Sequence, residues 1–185
     1  MLQPNFSPFP TIDTERLHLR AITIQDDEAL FILRTEDAAN KYLDRARPTL
    51  VTELHQLITK IAYGISSNTA IAWAITLKEN PGQLIGSISY HKIDADHHRA
   101  EIGYMILSAY WRKGLVSEAI KAVIDYGFNE MKLHSIEANI NPNNEASRNI
   151  LLKFGFVKEA YFKENYYFDG KFFDSEIYSL LNGKQ

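Results

Sequence analysis

Arg112 and Lys113 stand directly before Gly114, between an alternating stretch that ends near Leu107 and an apolar-faced run that opens at Leu115. A strand, a short basic turn and a helix in that order set unpaired backbone N–H groups and the positive end of a helix dipole beside two cationic side chains. Such an arrangement can hold a pyrophosphate. Gly114 would let the backbone approach the ligand closely, and Arg112 and Lys113 would add charge near the same phosphates. The plainer reading is that Gly114 starts a tight strand-to-helix turn and the basic pair is solvated. His97 and His98 lie in a polar turn with no further ligands at metal spacing, so they read as solvated. Cys is absent, which removes a disulfide framework, a thiolate zinc site and a cysteine nucleophile.

Positioning that turn requires a chain that alternates between periods. Residues 16–22 alternate polar and apolar and read as a first strand. A first helix carrying Leu30, Phe31 and Leu33 is expected to run to about Asn40. Leu50, Leu54, Leu57, Ile58, Ile61 and Ile65 then give a second helix its 3.6-residue stripe, with Thr49 as the expected cap. Residues 70–77, 84–93 and 99–107 read as three strands of a meander, the first two joined by Asn80-Pro81-Gly82. A third helix over 115–131 buries Leu115, Ala119, Ile120, Val123, Ile124 and Phe128. A strand at 135–140, a short helix at 145–154 stopped by Gly155, and two aromatic-rich strands at 157–167 and 172–181 around Asp169-Gly170 complete the chain. The Tyr161 to Phe173 aromatics read as hairpin packing that also lines a groove, and Trp73 reads as core.

The 185 residues and 21.2 kDa fit one domain, with residues 1–13 as a lead-in. Hydrophobic residues at 45% against 23% charged supply a core and exclude a disordered chain. The net charge of −3 and the pI near 6.1, with no basic block, argue against general nucleic-acid binding. No apolar run approaches the ~20 residues of a membrane helix, and the first residues lack a secretory signal pattern. A cytoplasmic protein is expected.

Four segments in register carry a resemblance. Arg16-Leu17-x-Leu19-Arg20, Glu101-Ile102-Gly103-Tyr104, Tyr110-Trp111-Arg112-Lys113-Gly114, and Asn144-x-x-Ser147 followed by Lys153-x-Gly155-Phe156 resemble the GNAT superfamily of acetyl-CoA-dependent N-acyltransferases. Within it they look most like the RimJ/RimL group, which acetylates α-amino groups of ribosomal proteins. The likeness runs from about residue 14 to residue 181. It implies a mixed α/β (α+β) fold with a mostly antiparallel central sheet of about seven strands and about four helices, in the order β-α-α-β-β-β-α-β-α-β-β. The family pattern Gln/Arg-x-x-Gly-x-Gly/Ala falls on Trp111-Arg112-Lys113-Gly114-Leu115-Val116; Trp at the first place is common in the RimJ/RimL group, whereas Val116 is bulkier than the usual residue.

By that resemblance the amides of Arg112, Lys113, Gly114, Leu115, Val116 and Ser117 hold the pyrophosphate of acetyl-CoA. The backbone of Met105, Ile106 and Leu107 pairs with the pantetheine amides like an added strand, and no metal is implied. The implied reaction is attack of a neutral amine on the acetyl thioester, which requires positioning, proton removal and stabilisation of the leaving group. Glu101 matches the place of a general base, acting directly or through water, or is an ordinary surface carboxylate. Leu151 stands where many members carry a proton-donating Tyr, so Ser147, one turn earlier, is the nearest substitute unless it only satisfies the helix start. Asn144 is placed to bond the pantetheine arm, or to cap the same helix, and Asn139 is a second candidate for that arm.

The expected acceptor is a protein or peptide N-terminus. A polyamine or aminoglycoside acceptor, and a CoA-binding module without turnover, remain as alternatives. The chain is expected to act as a monomer or homodimer, without direct nucleic-acid or membrane contacts.

Overall fold

Leu17 and Leu19 point inward from a stretch whose His18 and Arg20 point outward, and the computed structural model, which describes residues 1–183, makes that stretch a strand. The strands are β1 (Ile12–Asp13), β2 (Leu17–Ala21), β3 (Ile71–Leu77), β4 (Gly86–Asp94), β5 (Arg99–Ile106), β6 (Ser135–Ile140), β7 (Val157–Phe168) and β8 (Lys171–Leu181). The helices are α1 (Asp27–Thr35), α2 (Asp37–Asn40), α3 (Glu53–Ser66), α4 (Leu115–Asn129) and α5 (Glu145–Lys153). One eight-stranded sheet runs β1-β2-β3-β4-β5-β6-β8-β7, and only the β5–β6 pair is parallel.

Helices cover both faces. The larger apolar cluster joins Trp73, Ile88, Tyr90, Ile102, Ile106 and Ile136 of the sheet to Leu115, Ala119, Ile120 and Val123 of α4 and Leu151 of α5. The smaller one packs Leu30 and Leu33 of α1 and Leu54 and Ile58 of α3 on Ala74 and Leu84, with Met105 and Leu107 against it. Trp73 is fully buried and its indole N–H donates to the Pro10 carbonyl at 2.7 Å, a core role. At the β7–β8 hairpin, Asp169 (φ 46°) and Gly170 (φ 77°) both take left-handed backbone, the type I′ pattern that an Asp-Gly pair selects.

Three expectations are corrected. A two-residue strand, β1, pairs with β2 ahead of the expected first strand. The first helix does not run unbroken to Asn40: Glu36 turns out of helical geometry (ψ 117°), and its carboxylate accepts from the Ser108 N–H (2.9 Å) and hydroxyl (2.6 Å), which leaves α2 as a separate turn. Thr49 is not the cap of the second helix, which opens at Glu53 after Thr52. Glu53 reaches back to accept from the Thr49 hydroxyl at 2.7 Å and from the N–H groups of Thr49 and Leu50, so Leu50 lies outside the helix and exposed.

Candidate active site

The parallel pair β5–β6 lasts three residues: Arg99, Ala100 and Glu101 face Ser135, Ile136 and Glu137. Beyond them β5 follows β4 and β6 follows β8, so the strands part and leave an open edge on β5 from Ile102 to Ile106. Main-chain polar groups alternate sides along a strand. The Leu107 N–H donates to Ile85 at 3.0 Å, and Met105 is likewise turned toward its β4 partner Ser87, so the backbone groups of Tyr104 and Ile106 face the gap. Of the three residues expected to pair with a pantetheine arm, the structure therefore sets Ile106 in the gap and turns Met105 and Leu107 toward β4. The Ile106 carbonyl already accepts from the Trp111 indole at 3.0 Å, leaving its N–H as the donor.

Strand β5 leads into the basic turn. Arg112 (φ 59°) and Gly114 (φ 77°) both adopt left-handed backbone, a conformation that costs a glycine little. Among the described residues, none of the backbone N–H groups from residue 112 to residue 117 donates within the protein. Successive unpaired donors at a helix N-terminus form an anion cradle. Arg112 and Lys113 are exposed beside it, and Val116 packs its side chain against the larger cluster, which turns its extra bulk inward. The turn is braced from β2's approach: Arg16 donates through Nη1 to the Lys113 carbonyl (2.9 Å) and through Nε to Glu118 (2.7 Å), and Glu118 also accepts from the Arg16 N–H and the Thr14 hydroxyl.

Glu101 stands where the strands part, on the α1/α3 face, since Ile102 joins the opposite cluster. His91, the extra residue of a β4 bulge, places Nε2 3.2 Å from Glu101 Oε1. The His91 ring beside it holds the Glu101 carboxyl below the usual carboxylate range, against burial that pushes it up. His91 is half exposed, which gives this pair a path to solvent. The sequence marks His91 with no motif; only the bulge reveals it.

On the other face, Asn144 caps α5 by accepting from the Ser147 N–H at 3.1 Å, and among the described residues its amide N–H₂ has no acceptor. Leu151 is fully buried. The Ser147 hydroxyl lies beside the Tyr104 hydroxyl without completing a hydrogen bond to it: the Tyr104 oxygen is buried with no partner among the described residues, and burial raises its pKa. Tyr104 was unreadable as a site residue because its alternation matches any half-buried strand position. Asn139 departs from this group: it points to the α1/α3 face and lines a cavity of about 210 Å³ with Tyr42, Asp44, Asn141, Asn165 and Ser175.

The residues present fit an extended thioester cosubstrate that carries a pyrophosphate: a cradle of unpaired N–H groups, an open strand edge, and an orphaned hydroxyl on the edge strand. A model of the acetyltransferase (GNAT) domain matches residues 16–157. The chain belongs to the GNAT family. An uncharacterised Bacillus subtilis N-acetyltransferase, YoaA, is 36% identical over 177 residues, covering 96% of this chain and 99% of its own. The structure resembles the ribosomal-protein-S5-alanine acetyltransferase of Vibrio fischeri at TM-score 0.82 and 26% identity, covering 95% and 98% of the two chains. It shares the fold of RimL, a ribosomal L7/L12 α-N-protein acetyltransferase solved with coenzyme A, at TM-score 0.83 and 18% identity, covering 95% and 100%. This GNAT protein is an acetyl-CoA-dependent N-acetyltransferase. No helix among its described residues is long and apolar enough to cross a membrane, and no group of three or more His, Cys, Asp or Glu is placed to hold a metal.

Proposed function

We propose that this enzyme acetylates the α-amino group of a protein or peptide N-terminus, in the manner of the RimJ/RimL group and in the cytoplasm. The observation that carries the reading is the position of Glu101 and His91 at the mouth of the gap between β5 and β6, on the face opposite α4 and α5. Support for the acceptor comes from the likeness to an S5-alanine acetyltransferase.

The N–H groups of residues 112–117 would bind the pyrophosphate, and the Ile106 N–H with the Asn144 amide would hold the arm. The bound cosubstrate supplies the acetyl group as a thioester. An α-ammonium of pKa ~7.7–8.0 loses its proton with little assistance. Glu101, kept ionised by His91, attracts that ammonium, and the carboxylate–imidazole pair passes the released proton to solvent. On the far side of the thioester, the Tyr104 hydroxyl and Ser147 would supply the proton that the departing sulfur takes up.

A polycationic acceptor would favour free carboxylates in the 210 Å³ cavity. One of its two acids, Asp174, already accepts from the Tyr161 hydroxyl and the Glu164 N–H. The test is a panel of N-terminal peptides with free or blocked α-amines, polyamines and aminoglycosides, read by mass spectrometry. Acetylation confined to free α-amines is expected; turnover of polyamines or aminoglycosides in place of peptides would refute the assignment.

A further inference from the structure

Arg16, Arg20, Arg47, Arg99 and Arg148 each pair with a carboxylate. Two half-buried arginines do not. Among the described residues the Arg34 side chain, in the last turn of α1, makes no hydrogen bond or ion pair, and the Arg45 guanidinium has only the Asn40 Oδ1 at 3.0 Å and the Met105 sulfur at 3.3 Å. Burial and the neighbouring Arg34 charge push the Arg45 guanidinium down to about 10, and burial alone lowers Arg34. Two like charges drawn partly out of water destabilise a fold unless an anion completes the group.

The arrangement is fixed rather than incidental. Asn40 is buried and donates through Nδ2 to the carbonyls of Leu33 (2.8 Å) and Glu36 (2.9 Å), while its Oδ1 holds Arg45. That bracket clamps the Arg45 guanidinium against the turn that carries Arg34. The acids that follow Arg34 along the chain are already engaged, Glu36 with Ser108 and Asp37 with Arg47.

Met105 and Glu101 lie on the same face of β5, the α1/α3 face, whereas the N–H cradle belongs to the turn leading into α4 on the other face. The anion that completes the arginine pair therefore comes with the acceptor rather than with the cosubstrate's phosphates. We propose that Arg34 and Arg45 form a carboxylate subsite that binds an acidic side chain of the acceptor peptide, close to its N-terminus. The inference rests on the peptide reading above. Glu101 and Met105 are four residues apart on β5, roughly 13 Å at strand spacing, and an extended peptide spans that distance in about four residues. The acidic side chain then falls at roughly the third to fifth position, where a planar guanidinium fork can bind it in bidentate fashion.

The experiment compares two peptides of identical N-terminal residue, with Asp or with Asn at positions three to five. Their kcat/KM values are measured at low salt with the wild type, Arg34→Gln and Arg45→Gln. CoA-induced thermal stabilisation is recorded for each protein. The wild type is expected to prefer the acidic peptide by about 10-fold, the size of one charge-assisted contact. Each substitution should bring the ratio near one while the CoA-induced shift persists. A purely structural role would lower both peptides together and keep the ratio. Equal rates on the two peptides with the wild type, a ratio retained in both variants, or loss of the CoA-induced shift would overturn the subsite. Wild-type turnover of both peptides at equal rates leaves the peptide reading standing, whereas absence of turnover on both peptides removes both.

Discussion

The Tyr104 hydroxyl is buried without a partner among the described residues, and a polar group in that position destabilises a fold by ~1–3 kcal/mol relative to a bonded one. In the proposed mechanism its neighbour Ser147 and its place on the open edge of β5 would make it the proton donor to the departing sulfur. Removing it has opposite effects on stability and on rate. Tyr104→Phe is expected to match or exceed the wild-type Tm while kcat falls about 10²-fold, measured by calorimetry and by thiol release. A lower Tm with unaltered kcat would make Tyr104 a packing residue. At this scale the sequence was informative where chemistry has a spacing, as at Arg112 to Gly114. It was silent on His91 and gave Tyr104 no role beyond its place in a matched segment, because a bulge and the burial of a hydroxyl are encoded by no local pattern. Asn139 points to the cavity of about 210 Å³ because Ala138 faces the core and strand alternation turns the next residue away.

The turn from β5 into α4 concentrates unpaired N–H donors through its backbone geometry. Gly114 takes φ 77°, and a Cβ there would stand 3.4 Å from Arg16 Nη2, the side chain that braces the turn through Lys113 and Glu118. Gly114→Ala would impose about 1–2 kcal/mol of left-handed strain, roughly 3–6 °C in Tm at this size. It should weaken CoA binding about 10-fold in a calorimetric titration by shifting the unpaired N–H groups. Unchanged affinity would place the pyrophosphate elsewhere. Elements with strong periodicity were legible: β6 spans 135–140 and α4 begins at Leu115 as expected. The break at Glu36 was not, because its cause is a hydrogen bond to Ser108, 72 residues away. The start of α3 was missed because the Thr49 hydroxyl donates to Glu53 rather than accepting from the first helical N–H groups, and Glu53 also accepts from the N–H groups of Thr49 and Leu50.

Across the molecule, the parting of β5 from β6 makes the gap, and the far side of that gap is held by a polar cluster. Glu176 is buried on β8 and accepts from Lys158 (2.7 Å), Tyr178 (2.9 Å) and Arg148 (3.2 Å), the last of which follows Ser147 on α5. Burial pushes its carboxyl up, and these three donors more than offset that, so it titrates below the usual range. A carboxyl lowered in the folded state contributes stability that is full above the unfolded pKa of ~4.3 and is lost as pH falls through the folded value. Calorimetry from pH 7 to pH 3 should show Tm falling below about pH 4.5. Glu176→Gln should lower the pH 7 Tm by roughly 10 °C, about 3 kcal/mol for breaking a buried pair, and flatten the acid-side decline. An acid profile identical to the wild type's would remove Glu176 from that role. The central claim is acetyl transfer beside Glu101, and thiol release from acetyl-CoA with an N-terminal peptide, run on wild type and Glu101→Gln, tests it most directly. The account predicts turnover by the wild type and a loss of about 10²–10⁴ in kcat/KM for the variant, with CoA-induced stabilisation retained; no thiol release, or equal rates for the two proteins at every pH, would contradict it.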